Sequence, residues 1–230
     1  MFFIIHKNHT KMEHVAIFNK NFMNGTLSFF RDSAIMTPKT REDLKMAKVY
    51  VFLADGFEDI EGLTVVDLMR RAGVEVSTVS IKGKREIETS HGIRMQTDRI
   101  FEGTDFSDAD MLVLPGGMPG TRYLGEHQPL TELLRSFYEK GGKIAAICAA
   151  PSIFAELGFL KGRTATCYPS FMGKLEECGA RTSLEGVVVD ENVTTSRGMG
   201  TAIDFGLNLI SQLLGQEKAD DIARSIVYRA

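Results

Sequence analysis

From Met46 onward the sequence predicts an α/β domain built on a mostly parallel sheet, and three observations carry that prediction. Short apolar runs alternate with amphipathic segments, the pattern of βαβ units. Glycine-containing loops follow two of the runs, at 55–61 and 115–120. A third run, 143–147, ends on Cys148, and a helical stretch opens at once with Ala149-Ala-Pro151, so a thiol stands at a strand-to-helix turn.

The elements follow in chain order. Ala47-Lys-Val-Tyr-Val-Phe-Leu-Ala54 is apolar at nearly every position, as a strand covered on both faces must be, and predicts a strand over 48–54. The amphipathic stretch 60–72 predicts the first helix, stopped by Gly73. Val76, Thr78 and Val79 mark a strand over 75–81, and the alternation of Ile87, Thr89, Ile93 and Met95 marks a small hairpin or edge excursion over 84–97. Further strands are predicted at 111–114, 143–147, 164–166 and 187–195, and further helices at 129–140, 150–157, 170–178, 201–214 and 217–226. In such a sheet, ligands bind beyond the carboxyl ends of the strands where strand order reverses, and the loops 55–61, 115–120 and the Cys148 turn all fall there.

Composition narrows the function classes. The 230 residues carry a net charge of -3, which offers no global attraction to nucleic acid or an anionic membrane. Small molecules or other proteins are the expected partners. Cys148, Cys167 and Cys178 have no CxxC spacing and the histidines form no HxxxH or HxH pair, so no metal-like cluster is legible. Three cysteines without a framework suit a reducing, cytoplasmic setting, and no apolar run approaches the length of a membrane span. Residues 1–45 lack sustained periodicity and are expected to be an N-terminal extension, poorly ordered or a start-site artefact, with 46–230 as the folded domain.

Cys148 is the first candidate nucleophile. A helix N-terminus favours thiolate over thiol, though by at most ~2 kcal/mol. Glu61, if it faces the turn, would share one proton with the thiol and act as a shuttle. Glu58 and Asp59 read as solvated caps of the first helix. Gly116 and Gly117, in Leu114-Pro-Gly-Gly-Met-Pro-Gly-Thr121, read equally as a structural turn or as an oxyanion cradle. The loop has no phosphate-loop spacing, and Gly198-Met-Gly200 lacks the third glycine of a dinucleotide fingerprint, so no nucleotide cofactor is expected. Cys167 is a candidate resolving thiol, with a passive role the stronger reading. Cys178 has no evident partner, His91 reads as an exposed loop residue within reach of a dimer interface, and His127 reads as surface.

With these residues named, the chain from Met46 to about Tyr228 resembles the ThiJ/PfpI superfamily, in the branch of the Parkinson-disease protein deglycase and bacterial YajL. The resemblance rests on Leu53-Ala-Asp-Gly-Phe-Glu-Asp-Ile-Glu61, Asp67-Leu-Met-Arg-Arg-Ala-Gly73, Val113-Leu-Pro-Gly-Gly117, Ile144-Ala-Ala-Ile-Cys-Ala-Ala-Pro151 and Thr195-Ser-Arg-Gly-Met-Gly-Thr-Ala-Ile-Asp-Phe-Gly206. It implies a flavodoxin-like three-layer sandwich, a cysteine nucleophile elbow, no cofactor, and a homodimer with the first helix, including Arg71, at or near the interface. It also implies Cys148 as reactive cysteine, Glu61 as its acidic partner, and Gly117 and Ala149 as backbone donors.

Two departures bear on chemistry. Ala149 stands where the peptidase-like branch has histidine, so a Cys-His dyad lacks its base. Tyr168 stands where human-type members have a histidine near the cysteine, which leaves Glu61 as the proton carrier. The resemblance implies glutathione-independent conversion of glyoxal and methylglyoxal to hydroxy acids, action on early glycation adducts of protein side chains, and protection against oxidative stress. The competing expectation is a redox-sensing stress chaperone whose Cys148 is oxidised to a sulfinate.

Overall fold

A computed structural model describes residues 46–228; the expectations for 1–45 lie outside the described residues. The first strand, β1 (Lys48–Leu53), alternates its side chains between two cores. Val49, Val51 and Leu53 face one, and Tyr50 and Phe52 the other. All five are nearly inaccessible, which is why the run is continuously apolar rather than alternating.

Around it runs a seven-stranded sheet in the order β10-β11-β7-β6-β1-β2-β5. Its members are β2 (Glu75–Ser80), β5 (Arg99–Ile100), β6 (Met111–Leu114), β7 (Lys143–Ile147), β10 (Val187–Asp190) and β11 (Val193–Ser196). Every pairing is parallel except β10 with β11. One face is covered by α1 (Asp59–Ala72), α6 (Ala202–Leu214) and α7 (Gln216–Ser225), whose apolar residues join Val49 and Val51 in one core. The other face carries α2 (Gly120–Glu126), α3 (Gln128–Glu139), α4 (Pro151–Glu156) and α5 (Met172–Glu177). The three-layer sandwich is therefore the flavodoxin-like arrangement expected. Among the described residues no helix is long and apolar enough to cross a membrane.

Two expectations need correction, and two elements were not foreseen. The run 187–195 is two strands joined by a tight turn, with Asp190 paired to Val193 and Glu191 at φ 54°. Two-residue hairpin turns need positive φ, usually signalled by Asn-Gly, and a glutamate there gives no such signal. The segment 164–166 does not enter the main sheet: β8 (Thr164–Ala165) pairs with β9 (Arg181–Thr182) in a separate parallel ribbon. Helix α2 was hidden by Pro119, Gly120 and Gly125, which read as a loop. The hairpin, β3 (Glu86–Glu88) with β4 (Arg94–Gln96), forms as expected but is followed by the unforeseen edge strand β5.

Helices α1 and α6 pack tightly enough that a Cβ at Gly206 would lie 2.7 Å from Leu68 Cδ1. Replacing Gly206 by valine is expected to destabilise the fold by about 1–3 kcal/mol through overpacking. The denaturation midpoint measures this, and an unchanged midpoint would show that the helix pair has slack.

Candidate active site

The chain leaves β1 for β2 on one side and returns at β6 on the other, so a crevice opens beyond the carboxyl ends of β1 and β6. The loops after these strands interlock there. Glu58 N–H donates to Gly116 O at 2.9 Å and Gly120 N–H to Gly56 O at 3.3 Å. Glycine makes the approach possible: at Gly117, with φ 90°, a Cβ would stand 2.3 Å from Glu58 N. At Gly116 it would stand 2.6 Å from Cys148 Cβ and 2.7 Å from Glu61 Oε2. Gly116 is thus the point where the second loop, the first helix and the cysteine turn meet.

Cys148 follows β7 with φ 65°, a left-handed conformation that costs a non-glycine residue ~1–3 kcal/mol. Hydrogen bonds on both sides hold it there. Its N–H donates to Ser196 O at 2.9 Å, and its carbonyl accepts from Tyr168 N–H at 2.8 Å. The thiol is partly exposed, and the N–H groups of Ala149 and Gly117 point at Sγ. Glu61 projects from the first turn of α1, only 1% exposed. It accepts from Gly116 N–H at 2.9 Å and from Met199 N–H, and it is hydrogen-bonded to the Cys148 thiol.

Burial raises the Glu61 pKa to about 7, helped by the charge of Glu58 and opposed by the hydrogen bonds from Cys148, Gly116 and Met199. Burial, followed by the Glu61 charge and hydrogen bond, pushes Cys148 up to about 12. A helix terminus alone would lower the thiol's pKa; burial and the Glu61 carboxylate move it the other way. Helix α4 has six residues, and its end is outweighed by burial and a carboxylate in contact. The outcome is a pair that holds two protons below about pH 7 and one above it, because removing the second would leave two charges side by side.

Other expected residues take different places. Gly116 has its N–H engaged by Glu61, so the donors aimed at Sγ are those of Gly117 and Ala149. Glu58 and Asp59 are not solvated caps: Glu58 makes no side-chain cap bond, and Asp59 is largely buried in an ion pair with His91. His91 is mostly exposed, its pKa raised by Asp59, and it lies with Glu58 and Asp59 in a group whose donor atoms fall within 4.8 Å of one another. The sequence could not show this cluster because His91 comes from the β3–β4 hairpin, 32 positions away from Asp59.

His127 is no surface bystander. It caps α3 by accepting from Leu130 N–H, packs edge-on against Phe101, and has its pKa lowered by burial. Cys167 is fully buried with Sγ 3.5 Å from Met172 Sδ, and burial raises its pKa to about 12, the passive role preferred above. Cys178 is half-buried at the end of α5. Sequence reasoning missed Met199, whose contribution is a backbone N–H and so leaves no trace in residue type, and Gly198 beside it.

Residues 47–212 match the model of the DJ-1/PfpI family. The chain belongs to that family. Among its DJ-1 relatives, Drosophila melanogaster protein dj-1beta is 36% identical over 177 residues, covering 77% of this chain and 95% of its own. The Schizosaccharomyces pombe relative named glutathione-independent glyoxalase DJ-1 is 29% identical, covering 79% of this chain and 98% of its own. Arabidopsis thaliana DJ-1 homolog B is 37% identical, but the match spans 87% of this chain and only 44% of that protein. Oxidized Toxoplasma gondii DJ-1 superposes with a TM-score of 0.75 at 33% identity, covering 80% of this chain and all of that one.

The Glu61 shift has a consequence for stability. A carboxyl whose folded pKa is raised from 4.5 to about 7 binds its proton more tightly in the fold than in the unfolded chain. The stability it contributes is therefore full below about pH 4.5 and lost as pH rises to about 7. Relative to wild type, Glu61→Gln is expected to gain about 3 kcal/mol between those limits, measured by denaturant unfolding across pH. Parallel curves for the two proteins would contradict the shift.

Proposed function

We propose that this DJ-1/PfpI protein is a glutathione-independent glyoxalase that converts glyoxal, methylglyoxal and early glycation adducts to 2-hydroxy acids through Cys148. The observation that carries the reading is the buried Glu61–Cys148 pair with two backbone N–H groups aimed at Sγ. The glyoxalase name of the fission-yeast relative supports it.

When the shared proton sits on Glu61, Sγ is a thiolate ready to attack. It adds to the aldehyde carbon of a 2-oxoaldehyde, and the alkoxide that forms is stabilised by the N–H groups of Gly117 and Ala149 and takes the Glu61 proton. The resulting carboxylate removes the hydrogen on the former aldehyde carbon and returns it to the adjacent carbon, while the hydroxyl proton on the former aldehyde oxygen passes to the former ketone oxygen. The ketone is thereby reduced and the aldehyde carbon oxidised, with no external electron carrier. The product is the thioester of a 2-hydroxy acid, and water releases lactate from methylglyoxal or glycolate from glyoxal while restoring the thiol.

A second reading, a redox sensor and stress chaperone, is favoured by the same donors. A sulfinate on Cys148 would find Glu61, Gly117 and Ala149 already placed to hold its oxygens. Intact mass after mild peroxide separates the two: selective gain of two oxygens with negligible aldehyde turnover supports the sensor.

Lactate release from methylglyoxal is expected to vanish in Cys148→Ser and to fall about 10²–10⁴-fold in kcat in Glu61→Gln. Turnover in the serine variant comparable to wild type would rule out the covalent route. In wild type, kcat/KM is expected to rise as pH climbs through about 7, because below it the pair carries two protons and no nucleophile. Glu61→Gln is expected to lose that step, and a wild-type profile flat from pH 6 to 8, taken as roughly one unit either side, would count against the shared proton.

A further inference from the structure

Three large apolar residues stand exposed in loops whose backbone supports the pair. Met118 is 54% exposed and follows Gly117, whose N–H points at Sγ. Met199 is 58% exposed, and its own N–H reaches Glu61. Tyr168 is 49% exposed, and its N–H donates to the Cys148 carbonyl at 2.8 Å. Single exposed apolar residues are ordinary. Of the three, Tyr168 is the one whose side chain lies beside the space over Glu61.

Gly198 shows where the ring of Tyr168 lies. A Cβ built on Gly198 would sit 3.5 Å from Tyr168 Cδ2 and 3.8 Å from Glu61 Oε1. The ring and the reactive carboxyl therefore border the same small space, with no side chain between them. Gly198 has extended backbone that any residue can adopt, so glycine is not demanded here by conformation. What the missing Cβ preserves is room between the carboxyl and an aromatic face.

We propose that Tyr168 and the gap over Gly198 form an apolar subsite that determines specificity, receiving the substituent on the ketone carbon and favouring 2-oxoaldehydes with flat apolar groups over glyoxal. This rests on the glyoxalase reading for the reaction, but the subsite itself is defined by geometry. A substituent in that space stacks on the ring while its carbonyl carbons lie within reach of both Sγ and the Glu61 carboxyl, where addition and proton transfer occur. Glyoxal has hydrogen at that position and gains nothing from the ring.

The test compares kcat/KM for phenylglyoxal and glyoxal in wild type, Tyr168→Ala, Tyr168→Phe and Gly198→Ala. Wild type is expected to favour phenylglyoxal. The phenylglyoxal-to-glyoxal ratio is expected to fall about tenfold in Tyr168→Ala and Gly198→Ala, carried by KM, and to persist in Tyr168→Phe. An unchanged ratio in Tyr168→Ala overturns the proposal, and so does loss in Tyr168→Phe, which would assign recognition to the hydroxyl. If wild type turns over neither aldehyde, the reaction reading fails while the subsite is still judged. The alkylation rate of Cys148 by 2-bromoacetophenone relative to iodoacetamide must then fall about tenfold in Tyr168→Ala, and an equal ratio sinks the subsite.

Discussion

The candidate site depends on one contact, that between a carboxyl and a thiol which cannot both be charged. Each group alone would be unremarkable: a glutamate in the first turn of a helix, a small half-hidden cysteine after a strand. Together they hold two protons below about pH 7 and one above it, since burial disfavours either charge and adjacency disfavours two. Each group receives two backbone N–H donors, Glu61 from Gly116 and Met199, Cys148 from Gly117 and Ala149. The donors make a negative charge bearable at either end, and moving the proton between the two atoms needs no rearrangement of the frame.

That frame is made of loops in backbone contact, and the absence of Cβ atoms is what permits it. Side chains at positions 116, 117 and 120 would collide with Cys148, Glu58 and Phe57 respectively. The sheet supplies the larger geometry: β1, β6 and β7 are neighbours, so the helix start carrying Glu61, the glycine loop and the cysteine turn leave the same edge side by side. The strain at Cys148 is confined by bonds to β11 through Ser196 and to the loop bearing Tyr168. A left-handed cysteine thus sits among partners that over-determine its position.

The fold was legible because its cues are local and repeated. Continuous apolar runs such as 48–54 announce strands covered on both faces, and the three loops that converge could be named from strand ends alone. What stayed hidden follows a different physics. The turn at Glu191 takes positive φ without a glycine to mark it, and α2 carries residues that ordinarily break helices. At the site, Cys148 and Glu61 are visible as residue types, whereas the Met199 donor is a peptide N–H. The raised pKa of the thiol was not legible because a helix terminus is visible in sequence, while burial and the distance to a carboxyl are properties of the fold.

The proton inventory also limits which reactions the pair can serve. Cleaving an amide requires a base to activate the nucleophile and an acid to protonate the departing amine, usually an imidazole that does both. Ala149 provides none, Tyr168 adds a phenol, and His127 is spent on capping α3 and packing against Phe101. His91 is engaged by Asp59 and Glu58. One carboxyl with a pKa near neutrality is sufficient when a proton must leave one carbon and arrive on its neighbour, since the same oxygen can take it and return it. Among the described residues no imidazole serves Cys148, and the proposed internal redistribution of hydrogen within a small carbonyl compound does not require one.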